Sequence, residues 1–234
     1  MTNIKVNLIA HTADPEAVVA AAINQCYSQK TGVELKEKLS PEKRQRLIKT
    51  VISSGHTSTI EHATFTFSIE GISRVTEVQL VRHRIASYSI KSGRYNPSHT
   101  DFVIPPKIED DPKAMEKVKT LKTYLGKLIE EFKDLGYEYE DIRYFTPQGT
   151  KTNLIMTMNA RALFNFFQER LCNRAQWEIR TLAKLMFKEC KKIAPNIFRF
   201  AGPTCVTEKI CWQGNMHCGK LDKDKSIELR EKCV

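Results

Sequence analysis

The chain is 234 residues long, 41% hydrophobic and 27% charged, a composition that suits a folded globular protein and excludes a disordered or collagen-like one. Its longest apolar run, Ala17 to Ile23, is far short of the roughly 20 residues a membrane helix needs. A net charge of +10, from 37 Lys+Arg against 27 Asp+Glu, favours anionic partners such as nucleotides, phosphorylated cofactors or nucleic acid without choosing among them.

The first ten residues lack a continuous apolar segment and are not read as a signal peptide, so a cytoplasmic location with reduced thiols is expected. Lys5 to Ala10 alternate and read as a strand. Asp14-Pro15 supplies a cap and a first-turn proline for an Ala-rich helix to about Tyr27, and Ser40-Pro41 repeats that signal. Thr64 to Ile69 alternates hydroxyl and apolar side chains, as a strand with one wet face does. Ser73 is placed to cap a helix running towards Arg82. A loop or strand follows from Ser87 to Tyr95, then a turn at Asn96-Pro97 and a short strand end at Phe102 to Ile104.

Asp111-Pro112 opens the clearest helix, its apolar residues recurring every three or four positions to Leu135, with Gly136 as the stop. Lys151 to Met158 reads as a strand. Asn159 then caps a helix through Leu171, and Ala175 to Ile193 forms another. With no internal repeat and no linker, the expected architecture is one α+β domain over 1–218, mainly antiparallel sheet packed with long helices, followed by a charged tail over 219–234.

Chemistry concentrates in Arg82-His83-Arg84 and the residues that follow. Arg82, Arg84, Lys91 and Arg94 fall within thirteen positions that contain no acid. Guanidinium forks match phosphate oxygens, and Ser92 with Gly93 adds hydroxyl and backbone donors. Taken alone, such a loop is equally an ordinary solvated surface.

The segment fits the pattern R-H-R-x7-S, with Ser92 eight residues after Arg84. Upstream stands His56-Thr57-Ser58-Thr59-Ile60-Glu61-His62. Downstream come Asn159-Ala160-Arg161, Asn165, Arg170 and Ala175-Gln176-Trp177-Glu178-Ile179-Arg180. In order and separation these blocks resemble the flavin-dependent thymidylate synthases over roughly His56 to Arg180. The resemblance implies conversion of dUMP to dTMP, with 5,10-methylenetetrahydrofolate as carbon donor and FAD reduced by NADPH. It also implies a homotetramer with sites shared between subunits, and no catalytic cysteine.

Carried over residue by residue, Ser58, Arg82, His83, Arg84, Asn159, Arg161 and Asn165 are the implied FAD contacts. Gln79, Arg82, Ile90, Lys91, Ser92, Gly93, Arg94 and Arg143 are the implied dUMP contacts. Arg170 is the implied catalytic residue, binding the uracil edge and favouring loss of the N3 proton. Arg161, Asn165 and Glu169 share one helical face, whereas Arg170 lies about half a turn from Arg161, pointing elsewhere unless the helix ends first. Ser89 and Ile90 depart from the Asn and the acidic or amide residue many members carry, so contact at Ile90 must use backbone. Arg174 stands where some members have His.

Blander roles fit the remaining residues. His62 is structural while His56 is placed near the flavin. Glu61 suits a buried partner for one of the arginines, and Trp177 with Phe164, Phe166 and Phe167 suits core. Gln176-Trp177-Glu178 reads as scaffold. Seven cysteines include Cys205, Cys211 and Cys218 near His217, but the short C-x2-C pairs of zinc sites are missing, and no metal is expected. Two other readings remain open: a nucleic-acid module gripping backbone phosphates, with only Tyr88 and Tyr95 as stacking aromatics, and a flavoenzyme that methylates uridine within RNA.

Overall fold

The structure, a computed structural model, describes residues 4–95 and 100–221. The turn expected at Asn96-Pro97 and most of the charged tail lie outside the described residues.

In chain order the elements are β1 (Lys5–His11), α1 (Pro15–Gln25), α2 (Gly32–Lys38), α3 (Pro41–Ser53), β2 (Thr64–Ser73), α4 (Arg74–Leu80), β3 (Ser87–Ile90), α5 (Pro106–Glu109), α6 (Pro112–Asp134), α7 (Tyr139–Ile142), β4 (Lys151–Asn159), α8 (Ala160–Arg170) and α9 (Trp177–Ile193). The strands form one sheet in the order β1-β2-β4-β3. β2 and β4 are antiparallel: Arg74 N–H donates to the Thr150 carbonyl at one end and Ala160 N–H to the Ala63 carbonyl at the other, at 3.1 and 2.8 Å. The α+β class with an antiparallel sheet and long helices is therefore as the sequence predicts.

Local chemistry sets the boundaries. Asp14, Ser40, Ser73 and Asn159 each accept a backbone N–H at a helix start, as expected. α2, which periodicity misses, carries a capping box between Thr31 and Glu34. α9 begins at Trp177 because the Gln176 side chain caps the Glu178 and Ile179 amides. β2 runs on past Ile69 to Ser73: Gly71 adopts φ 74° and gives its N–H to Asn153 Oδ1 at 2.9 Å, so the chain bends without leaving the sheet. The strand end expected at Phe102 reduces to one antiparallel bridge with Thr150.

The chain divides into two compact units. The described parts of 1–7, 68–84 and 88–156 form the first, with Ile69, Ile72, Leu80, Ile142, Leu154 and Met156 buried. Residues 8–67, 85–87 and the described part of 157–234 form the second. Its core is aromatic: Phe167 meets Phe187 at 5.1 Å between centroids and Phe65 meets Phe198 at 5.2 Å, both edge-on. Each fully buried side chain of this size contributes about 1.5–3 kcal/mol. Of the aromatics expected in the core, Phe166 and Phe167 are fully buried, whereas Phe164, 5.8 Å from Phe198, and Trp177 are only partly buried.

Candidate active site

In the first unit, the sequence after β3 closes over a hollow of about 360 Å³, within the range of small-molecule pockets. Ile90, Lys91, Ser92, Gly93 and Arg143, all singled out from sequence, line it. Arg74, Glu77, Thr146, Thr150 and Lys151 complete the wall, and none of these was picked out beforehand.

Arg74 organises this wall. Its Nη1 pairs with Glu77 Oε2 at 2.6 Å, and its Nη2 donates to the Lys91 carbonyl at 3.0 Å. The guanidinium thus ties the first turn of α4 to the loop after β3. Arg143 is fixed from its own backbone: its carbonyl accepts from Thr146 Oγ1 at 2.8 Å, and its Nε donates to the Glu140 carbonyl at 3.1 Å. Ser92 Oγ accepts from the Arg94 amide at 3.2 Å, which leaves its hydroxyl proton for another acceptor. Gly93 borders both arginines: a Cβ there would lie 3.7 Å from Arg143 Cδ and from Arg74 Nη2, at ordinary contact distance. Arg74, Lys91, Arg143 and Lys151 against the single carboxylate of Glu77 make this wall cationic.

Arg94, expected in the same loop, does not line the hollow: its Nη2 pairs with Glu140 Oε2 at 2.7 Å and its guanidinium lies over Tyr95. Gln79, on α4, donates to the Val75 carbonyl at 3.4 Å.

The Arg82-His83-Arg84 turn follows α4. Tyr88 Oη lies 2.9 Å from the carbonyls of both Leu80 and His83, so the phenol clips the turn to the end of the helix. Burial of this hydroxyl pushes the Tyr88 pKa up to about 12. The His83 ring is buried, whereas Arg82 and Arg84 on either side are exposed. Among the described residues neither of these two arginines has a carboxylate partner. Two exposed guanidiniums carried on a clipped turn are a donor set suited to a pyrophosphate.

The remaining residues belong to the second unit. Ser58 is exposed on a 3-10 turn, Thr57–His62, with exposed His56 preceding it. Glu61 partners an arginine as its setting suggested, but at the surface and not as a buried pair: Arg161 Nη1 lies 2.6 Å from Glu61 Oε1, both exposed. Asn159 spends its side-chain oxygen on the Ala162 amide at 2.8 Å. Arg161, Asn165 and Glu169 share an exposed face of α8, as predicted. α8 remains helical through Arg170, so the half-turn offset stands and an early helix end is not its explanation. Arg170 Nη2 is 3.8 Å from Glu169 Oε2.

Arg74 escaped sequence reasoning because Glu77, three residues on, makes it read as an ordinary helix ion pair, and Lys151 because it is a lone cation at the start of a strand. The missing signal was spatial, since β4 brings Lys151 to the loop after β3: Lys91 N–H donates to the Asn153 carbonyl at 2.9 Å.

Residues 7–196 match the family model Thy1, described as thymidylate synthase complementing protein. The chain is 42% identical over 243 residues to the flavin-dependent thymidylate synthase of Clostridium tetani, covering 97% of both chains. To that of Geobacter sulfurreducens it is 44% identical over 227 residues, covering 96% of this chain and 97% of the relative. Among solved structures it resembles the UMP/dUMP methylase PolB from Streptomyces cacaoi bound with 5-Br dUMP, at a TM-score of 0.73 and 24% identity over 85% of this chain and 94% of that one. At that identity the likeness speaks for the fold. With a family match across most of its length and relatives this similar from end to end, the chain belongs to the Thy1 family, the thymidylate synthase complementing proteins.

Proposed function

We infer that the protein is a flavin-dependent thymidylate synthase that methylates dUMP to dTMP. The observation that carries this reading is the pairing, in one unit, of two exposed arginines on a clipped turn with a cationic, hydroxyl-lined hollow. One donor set suits a dinucleotide's pyrophosphate and the other a nucleoside monophosphate.

In this account Arg82 and Arg84 hold FAD, with His83 fixing the turn from beneath and Ser58, Asn159, Arg161 and Asn165 as further contacts. The dUMP phosphate sits among Lys91, Ser92, Gly93 and Arg143, with Arg94, Gln79 and the Ile90 backbone beside it. Arg170 takes the uracil edge, stabilises the N3-deprotonated ring and so raises the nucleophilicity of C5 towards the methylene carbon of 5,10-methylenetetrahydrofolate. When bound and reduced by NADPH, the flavin would supply the hydride equivalent that turns the transferred methylene into a methyl group, and is itself returned to FAD. No residue in the scheme requires a metal.

A homotetramer with shared sites accounts for the separate direction of Arg170. Val75, Val78 and Val81, 40%, 51% and 36% exposed at three-residue spacing, give α4 and its cap an apolar stripe that assembly would bury. A cytoplasmic enzyme body over 1–218 with a charged tail completes the proposal. No described helix is long and apolar enough to cross a membrane. Against nucleic-acid binding, Tyr88 is half-buried with its hydroxyl engaged, leaving Tyr95 as the exposed aromatic of the pair.

Purified protein, as isolated or after addition of FAD, should carry a flavin absorption band that NADPH bleaches faster when dUMP is present. Protein that takes up no FAD contradicts the reading.

A further inference from the structure

Cys172, Cys205, Cys211 and Cys218 line a second hollow, about 140 Å³, together with Asn173 and His217. The thymidylate synthase scheme uses none of them. Among the described residues, no three His, Cys, Asp or Glu side chains are arranged to hold a metal ion, so the chemistry on offer is that of thiols taken two at a time.

These thiols differ in access and in environment. Cys218 is exposed, and the other three are partly buried. The Lys220 backbone N–H donates to the Cys218 sulfur and holds its thiol below the usual range, aided by Asn173 Nδ2 at 3.7 Å. Cys205 is the opposite case. Burial, and then the neighbouring Cys172, Cys211 and Cys218, push its thiol up. An exposed, thiolate-prone sulfur and a partly buried second thiol lining the same hollow suit an attacking and a resolving pair. The segment carrying Cys218 holds only a short 3-10 turn, Gly214–Met216, with Gly219 at φ 79°, so no long element holds its sulfur away from the hollow.

We propose that this cluster is a thiol–disulfide exchange site, at which Cys218 reacts with a low-molecular-weight disulfide and Cys205 resolves the product. The Cys218 thiolate attacks one sulfur of RSSR, forming Cys218–S–SR and releasing RS⁻, which takes the proton Cys218 gave up. Cys205 then loses its proton and attacks the Cys218 sulfur, expelling a second RS⁻ that takes that proton. Two protein thiols are oxidised to one disulfide, and RSSR is reduced to two RSH. In a reducing compartment such a bond is transient and reversible. Leu171 to Arg174, which border the hollow, directly follow Arg170, so the exchange lies next in sequence to the residue proposed for the uracil edge.

The test is to treat the full chain with glutathione disulfide, block remaining thiols with N-ethylmaleimide, and map the cysteines by mass spectrometry. The expected result is a mixed disulfide first on Cys218, then a linked Cys205–Cys218 peptide with loss of two free thiols. Cys205→Ser should stop at the mixed disulfide, and Cys218→Ser, a change at an exposed position, should remove reaction at the hollow. Modification of exposed Cys26 as fast as Cys218, a wild-type mixed disulfide that never resolves, or a linked peptide joining another pair would each overturn the proposal. So would stoichiometric zinc that shields the four thiols. The readout needs neither flavin nor dUMP, so its failure leaves the proposed synthase function separately testable.

Discussion

Replacing Tyr88 with Phe keeps the ring and removes one hydroxyl. That hydroxyl lies 2.9 Å from two carbonyls, but its single proton serves only one of them at full strength. The Leu80 carbonyl keeps another donor, the His83 amide at 3.1 Å. A neutral hydrogen bond contributes about 1 kcal/mol, and poorer satisfaction of the two partly buried carbonyls costs about 1 kcal/mol more, giving a loss of about 2 kcal/mol. In a chain of this length that corresponds to a Tm about 4–8 °C lower. The measurement is thermal unfolding at neutral pH, with and without FAD, and FAD affinity should fall because Arg82 and Arg84 lose their clip.

The same variant carries a pH signature. The folded pKa of Tyr88 is raised, to about 12, above its value of about 10 in the unfolded chain. The associated stability is therefore complete below about pH 10 and is lost as pH rises through about 12. Wild type should converge on Tyr88→Phe across that window. A Tm within about 1 °C of wild type at neutral pH, with a gap unchanged on raising the pH, would refute the reasoning.

Arg74→Met removes the partner of Glu77 in the wall of the hollow and the bond to the Lys91 carbonyl. The KM for dUMP should rise by roughly tenfold to a hundredfold, with kcat less affected and Arg74→Lys partly restoring it. Gly93→Ala should be tolerated because its Cβ meets both arginines at ordinary contact distance, while Gly93→Val should weaken dUMP binding without lowering Tm. Asn159→Ala removes the α8 cap and should cost about 1 kcal/mol, seen as a Tm drop of about 2–4 °C. Arg170→Ala should abolish dTMP formation while FAD remains bound, and unchanged turnover would remove Arg170 from the mechanism.

The elements read best from sequence were those whose ends carry their own chemistry. Asp111, Asn159 and Ser73 mark helix starts because each side chain satisfies amides that have no intrahelical partner. Periodicity saw less. α6 shows apolar residues at helical spacing throughout, yet only Leu125 and Ile129 are buried, and Leu121 is 44% exposed. The alternation that marks β2 ends at Ile69, whereas the strand continues to Ser73, where Asn153 from across the sheet accepts the Gly71 amide.

The candidate site divides along the same line. Lys91, Ser92 and Gly93 are contiguous and dense in donors, so their shared hollow was legible, and the family blocks added Arg143 from far along the chain. Arg74 was not legible because its role lies in a bond to a carbonyl 17 positions away. Arg94 stands outside the lining of the hollow because Glu140, brought close by the fold, pairs with its guanidinium, and composition does not reveal that pair.

Conversion of dUMP to dTMP, followed by mass spectrometry with FAD, NADPH and 5,10-methylenetetrahydrofolate supplied, tests the whole account. The account predicts dTMP that forms with the complete mixture and fails to form when FAD is stripped or dUMP is replaced by deoxyuridine. No dTMP from flavin-loaded protein, or equal turnover of the nucleoside lacking its phosphate, contradicts it.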